Sequence, residues 1–302
     1  MKTLIVKNTS KNEKLSNYIK NNFPNVSYAA IHKALRKKDI KINGKRINRD
    51  TFINNNDIIE IYITDNILYN VPNNIKKVYE DDNIVIFFKP QGLLTNNEVD
   101  NEPSLESIVR LEYKDLILCH RLDRNTAGLV IFAKNDVTAK NMFDAFKNGY
   151  IIKDYLAFVA GSTFNKKSEK LEQYIIKDAN TQTSKIVTKK TKDSKKIITE
   201  YRVIKKYEDL DYAILNVRIH TGKTHQIRAA MSYISHPIIG DSKYGKNEIN
   251  KKFKVFRQLL FAYKYSFDFP SNYGKINYLN NIIIKLDEKT IYDCIGSDII
   301  GK

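Results

Sequence analysis

The stretch that most constrains this chain is residues 116–134, LILCHRLDRNTAGLVIFAK. Leu116–Cys119 and Leu129–Ala133 are short, apolar and rich in branched side chains, a pattern that predicts two buried strands. Between them lies a polar string of His120, Arg121, Asp123, Arg124, Asn125 and Thr126, closed by Gly128. Polar residues pinned between two core strands are held at a fixed place, as a site requires. Taken alone, the string is more simply a tight loop in which Asp123 and Asn125 bond their own backbone.

The flanking chain narrows the choice. Residues 13–63 read as a separate module: a short helix bearing Leu15, Tyr18 and Ile19, then a second that Ser27 can cap, with Ala30, Ile31, Ala34 and Leu35 as its buried face. The opposite face carries Lys33, Arg36, Lys37 and Lys38. The run IKINGKRI follows, in which Asn43-Gly44 predicts a hairpin presenting Lys41, Lys45 and Arg46. A strand over 58–63 ends the unit, and residues 65–75 are expected to be a linker. Residues 1–62 hold 13 Lys+Arg against 5 Asp+Glu, a net +8 out of the chain's +17. So large an excess of base points to a polyanionic partner, nucleic acid before a membrane surface. Two cysteines, an early charged residue and no run long enough to span a bilayer lead us to expect a cytoplasmic protein in a reducing compartment.

The second domain, residues 76–302, opens on a strand ending in Lys89-Pro90 with Gly92 and Leu93. A helix is expected over 104–111 and another over 136–148, the latter with Ala139, Met142, Phe143 and Phe146 on one side. Lys153, Tyr155 and Ala157 alternate as one face of a strand. Residues 162–196 are polar in texture and end in Lys185, Lys189, Lys190, Lys192, Lys195 and Lys196 around a single Asp193, equally a solvated tip or an RNA-contacting loop. Strand 198–203 is followed by YAILNVRIHTGKTHQIRAAMSYISHPIIGDSKYG over 212–245. Its Gly-Lys-Thr is no phosphate loop, because Val217 stands where that motif needs its first glycine.

Together these blocks resemble one family. His-Arg-Leu-Asp-Arg-x-Thr-x-Gly-Leu, Lys-Pro-x-Gly-Leu, Lys-x-Tyr-x-Ala, and Thr-Gly-Lys-x-His-Gln-Ile-Arg with His-Pro-Ile-x-Gly-Asp-x-x-Tyr-Gly are similar, in order, to the motifs of the RluA-type pseudouridine synthases. Two departures are Lys223 for the usual Arg and Phe261 where His is common. The basic N-terminal module resembles the S-four RNA-binding domain (the αL motif). The resemblance implies Asp123 as the catalytic carboxylate, Arg228 as its partner and Tyr155 against the target base. It also implies contacts to substrate from Arg121, His120, Thr126 and Lys223, with Arg121 filling the place of a base flipped out of the stack.

The expected fold class is α/β (α+β): a small helix-and-hairpin RNA-binding domain over 1–64, then a catalytic domain on a mixed, mostly antiparallel sheet. The expected activity is isomerisation of uridine to pseudouridine in RNA, large-subunit ribosomal RNA first and tRNA second. The chemistry calls for no cofactor and no metal, and a monomer without a membrane partner is expected. No metal-ligand spacing links the five His, and no G-x-G occurs among the 11 glycines to suggest a methyltransferase. The rival reading is a non-catalytic rRNA-binding or ribosome-assembly protein. It leaves Asp123, Tyr155 and Arg228 without a reason to occur together.

Overall fold

The computed structural model describes residues 1–7, 12–23, 26–68, 75–96, 102–178 and 183–295. They divide into two units, residues 1–74 with 97–104, and 75–96 with 105–302.

In the first unit, β1 (Lys2–Ile5), α1 (Leu15–Asn22), α2 (Tyr28–Arg36), β2 (Ile40–Ile42), β3 (Lys45–Ile47), β4 (Ile58–Ile61) and the helical turn α3 (Asp65–Leu68) enclose one core. Ser27 caps α2, its hydroxyl accepting from the Ala30 amide at 3.1 Å. Asn43 and Gly44 both take positive φ, 50° and 79°, the turn whose twist suits a two-residue hairpin. The Asn43 side chain also ties the turn to β4, its Oδ1 accepting from the Ile58 amide at 2.8 Å. The sheet runs β1-β4-β2-β3, and β1 went unforeseen because its four residues carry too little pattern. Leu68, within the expected linker, is fully buried in this core; residues 69–74 lie outside the described residues.

The second unit is built on an 11-stranded sheet. Its strands are β5 (Lys77–Glu80), β6 (Ile84–Lys89), β7 (Ile117–Leu118), β8 (Ala127–Ala133), β9 (Ile151–Ala160), β10 (Ser168–Asp178), β11 (Thr183–Val187), β12 (Lys195–Tyr207), β13 (Tyr212–Ile219), β14 (Leu260–Phe267) and β15 (Ile283–Lys285). The order is β11-β10-β12-β13-β9-β14-β8-β6-β5, with β7 beside β8 and β15 beside β14. The helices are α4 (Leu105–Val109), α5 (Asp136–Asn148), α6 (Gln226–Tyr233), α7 (Asn247–Lys252) and α8 (Glu288–Ile295). Every pairing is antiparallel except β14 with β8, so the mixed, mostly antiparallel sheet expected from the sequence is the one observed.

That parallel pair joins the two halves of the sheet, and glycine makes it possible. Gly128 has φ 137°, and a Cβ there would lie 2.4 Å from the Ala262 carbonyl oxygen. Ala262 pairs with Gly128 on one side and with Tyr155 on the other, so β8, β14 and β9 come into register beside the polar loop that precedes β8. All seven residues of β8 and all six of β6 are buried. Each fully buried Leu, Ile or Phe stabilises by about 1.5–3 kcal/mol relative to exposure, which anchors the loop at its C-terminal end.

α5 spans the expected residues, capped by Asn135, which accepts from the Thr138 amide at 2.9 Å, and closed by Gly149 at φ 79°. Its buried side is Thr138, Ala139, Met142 and Ala145, whereas Phe143, expected inward, is 46% exposed. The first predicted core strand is only the two-residue β7. The polar stretch 162–196 contains two strands that were not foreseen, β10 and β11. Strand β10 alternates exposed and part-buried residues and pairs with β12, so its hydrophobic signal is half that of a core strand.

Candidate active site

Four segments of the second unit converge on Asp123. The loop itself is held from below by buried polar groups. The Asp123 carbonyl accepts from the Thr126 amide at 3.0 Å, and the Thr126 hydroxyl accepts from Gln258 Nε2 at 2.7 Å. The Thr95 hydroxyl donates to the Leu122 carbonyl at 2.7 Å and accepts the Leu122 amide in return. Lys89, fully buried at the end of β6, donates to the carbonyls of Leu93 at 2.7 Å, Arg124 at 2.9 Å and Pro90 at 3.1 Å. Burial draws its ammonium down to about 7, opposed by the charge of Asp123.

Arg228 enters from the first turn of α6. Its Nη1 donates to Asp123 Oδ2 at 3.3 Å, while Nε and Nη2 grip Asp241 in a fork at 2.7 and 2.9 Å. The stronger partner is therefore Asp241, which sequence reasoning passed over inside the GDSKYG block. Asp241 is wholly buried, whereas Asp123 keeps 29% of its side chain exposed. Burial opposes both charges of the fork, and their pairing outweighs it, holding Asp241 below and Arg228 above their ordinary values.

His225 was missed as well. It caps α6 in a left-handed conformation, φ 57°, with Nε2 3.7 Å from Asp123 Oδ2 and Nδ1 3.0 Å from the Tyr244 hydroxyl. The Tyr244 oxygen also accepts the Ser184 amide of β11. The Nε2 edge of the ring faces Asp123. Burial lowers the His225 pKa, and Arg228 and Lys243 add to that effect against the pull of Asp123. The ring is thus neutral at neutral pH. The Tyr244 ring lies 5.0 Å from the Arg228 guanidinium carbon, completing the wall.

Tyr155, 7% exposed on β9, lies close enough to Asp123 to feel its charge. Burial, and then the charge of Asp123, raise its pKa, so it stays a neutral phenol; its hydroxyl meets that of Tyr265, which donates to the Leu129 carbonyl at 3.1 Å.

The remaining expected contacts divide. Arg121 and Lys223 are exposed. Thr126 is 3% exposed and braces the loop from within. His120 turns inward: Nε2 accepts the Ile131 amide at 3.1 Å, and its ring packs on Phe146 and Tyr265 at 4.6 and 5.4 Å. Burial, with Lys153 nearby, pulls its pKa to about 3. The structure gives His120 and Thr126 bracing contacts, to the Ile131 amide and the Gln258 side chain.

In the first unit, Lys33, Arg36, Lys37, Lys38, Lys45 and Arg46 are exposed, and Arg46 Nη1 donates to the Lys38 carbonyl at 3.2 Å, bringing helix and hairpin together. Lys41 is half-buried and bonds the Tyr62 hydroxyl at 3.0 Å.

The chain matches the model of the RNA pseudouridylate synthase family over residues 83–233, half of its length. It is 30% identical to an uncharacterized RNA pseudouridine synthase of Mycoplasma capricolum, covering 94% of this chain and 97% of that one. It is 31% identical to the ribosomal large subunit pseudouridine synthase C of Rickettsia felis, over 80% of this chain and 85% of the relative. The structure of human RNA pseudouridylate synthase domain containing 1 shares the fold, with a TM-score of 0.59 and 20% identity over 73% of this chain and 87% of that one. The ordered motifs, the sheet and these relatives agree: the chain belongs to the RluA-type RNA pseudouridine synthases, isomerases that act on uridine in RNA.

Proposed function

We propose that this enzyme converts uridine to pseudouridine in large-subunit ribosomal RNA, with Asp123 as the catalytic carboxylate and the target base flipped out of its stack. The reaction breaks the N1–C1′ bond of uridine, forms a C5–C1′ bond, releases the hydrogen of C5 to solvent and leaves a proton on N1. Atoms and electrons balance within the nucleotide and water. The observation that carries the reading is the unequal pairing of Asp123, which shares Arg228 with Asp241 and keeps part of its carboxylate open. Arg228 sets an opposite charge against the Asp123 carboxylate, at 3.3 Å. Tyr155, a buried neutral phenol, offers a flat wall for the uracil. Flipping costs roughly a few kcal/mol, and exposed Arg121 beside the pocket is suited to fill the vacated stack. Names of relatives such as the Rickettsia felis synthase favour ribosomal RNA. The exposed basic face of the first unit is suited to hold its phosphates.

The test is release of tritium from C5-labelled uridine in unmodified large-subunit ribosomal RNA, with chelator present and no cofactor added. Release from that transcript and not from tRNA transcripts is the expected result. Release from tRNA alone would move the substrate, and none from either would leave a binding protein.

A further inference from the structure

A second pocket lies in the same unit, away from Asp123. It encloses about 290 Å³ and is lined by Phe164, Lys167, Val203, Ile204, Lys205 and Lys206. That volume is near the lower limit for small-ligand pockets, roughly 300–1,000 Å³, and suits one nucleotide. We propose that this pocket binds a nucleotide of the RNA outside the target uridine, with the base on Phe164 and its phosphates between the lysines; the proposal rests on the enzyme acting on RNA.

The floor is apolar and flat. The Phe164 ring is stacked on His236 with centroids 3.8 Å apart and planes 12° from parallel, and it also packs on Tyr201 at 5.9 Å. His236 is itself fixed, its Nδ1 3.0 Å from the Ala160 carbonyl oxygen. The aromatic platform is therefore rigid, as base stacking requires. The rim is cationic: three of the six lining residues are lysines, none is acidic, and Lys206 Nζ lies 6.0 Å from the Phe164 ring centre. The neighbouring carboxylate, Glu169, is engaged by Lys166 at 2.6 Å and by the Tyr201 hydroxyl at 3.4 Å. A purely solvated surface would not need Ile204, 51% exposed, beside a part-buried aromatic ring.

Its location suits a nucleotide flanking the target. Val203 pairs with Leu215, and Leu215 with Ala157, so Val203 shares the sheet face of Ala157 and of Tyr155 two residues before it. Two strand spacings across and two residues along place Val203 roughly 12 Å from Tyr155. That separation corresponds to about three or four stacked base steps.

The test measures binding of the full-length protein to fluorescein-labelled single-stranded oligouridylate across a salt series. The combined variant Lys167→Gln, Lys205→Gln, Lys206→Gln is expected to flatten the slope of log affinity against log salt by about 2, at about 0.7 per phosphate contact. Phe164→Leu is expected to weaken binding about 5-fold or more, with the slope unchanged. Tritium release at saturating RNA should match the parent for both variants, which separates this pocket from the chemistry at Asp123. The lysine variant alters exposed side chains only, so it keeps the test valid if Phe164→Leu disturbs the His236 stack. Unchanged slope and affinity in both variants overturn the proposal. A flatter slope with undiminished affinity in Phe164→Leu also overturns it, because phosphate contact alone needs no aromatic floor.

Discussion

Strand β9 carries two functional extremes on adjacent residues. Asp154 faces one side of the sheet, is wholly buried, and is held by Arg218 at 2.9 and 3.2 Å and by Lys264 at 2.8 Å. Tyr155 lies on the other side, near Asp123, which is 29% exposed and receives a hydrogen bond of 3.3 Å from a guanidinium committed to Asp241. Both carboxylates sit beside arginine, yet their pairing differs in kind. Two cations and full burial close Asp154 to any ligand, and it serves the sheet. A shared cation and an open edge leave Asp123 reachable. A neighbouring arginine does not by itself decide what a carboxylate can do; how completely its oxygens are claimed does.

The comparison breaks most sharply at Asp123→Asn. Asn keeps the size and most of the hydrogen bonding, so turnover should fall by at least about 10²–10⁴-fold while the melting temperature stays near the parent value. Tritium release and a thermal melt decide it; a large drop in melting temperature would make Asp123 structural like Asp154.

Arg228→Ala comes next. It strands Asp241, the fully buried partner, more than Asp123, and should cost about 3–5 kcal/mol. Adding Asp241→Asn should recover part of that loss, and adding Asp123→Asn should recover much less. Denaturant midpoints across the two double variants give the answer, and equal recovery would refute the unequal sharing.

Asp154→Asn should cost about 1–3 kcal/mol, less than stranding Asp241, because Arg218 and Lys264 are partly exposed and can turn to water. Burial alone would raise the Asp154 pKa, but Arg218 and Lys264 outweigh it and hold the value below that of an unfolded Asp. The stability this provides is present above the unfolded pKa, near 4, and is lost as pH falls through the folded value. Acid unfolding of the variant should therefore be shallower than the parent's; identical acid limbs would show the pair contributes nothing.

The smallest effect concerns His120. Its folded pKa, about 3, lies below the unfolded value near 6.5, so the unfolded chain binds a proton that the fold refuses. Stability from this group is complete above 6.5 and declines as pH drops toward 3. His120→Gln keeps an acceptor for the Ile131 amide and should remove that slope without reducing tritium release by more than a few-fold. A large loss of turnover at unchanged stability would restore His120 to the substrate.

Elements set by neighbours in sequence were legible in the chain alone. The Asn43-Gly44 hairpin needs only two residues that tolerate positive φ, and α5 spans the 136–148 read from its pattern. The apolar run of β8 and the ordered motifs around Asp123, Tyr155 and Arg228 were equally plain, and Asp123 and Arg228, 105 residues apart, do meet. Tertiary structure alone decided which groups satisfy one another. Nothing periodic in the sequence assigns Asp241 to Arg228, Tyr244 to His225, or His120 to the Ile131 amide. Nor does it announce that Gly128 is bare so that β14 can approach β8 in parallel. Backbone propensity acts over a few residues and leaves a repeating signature. Charge pairing and close packing depend on where distant strands finish, and that is fixed only when the core closes.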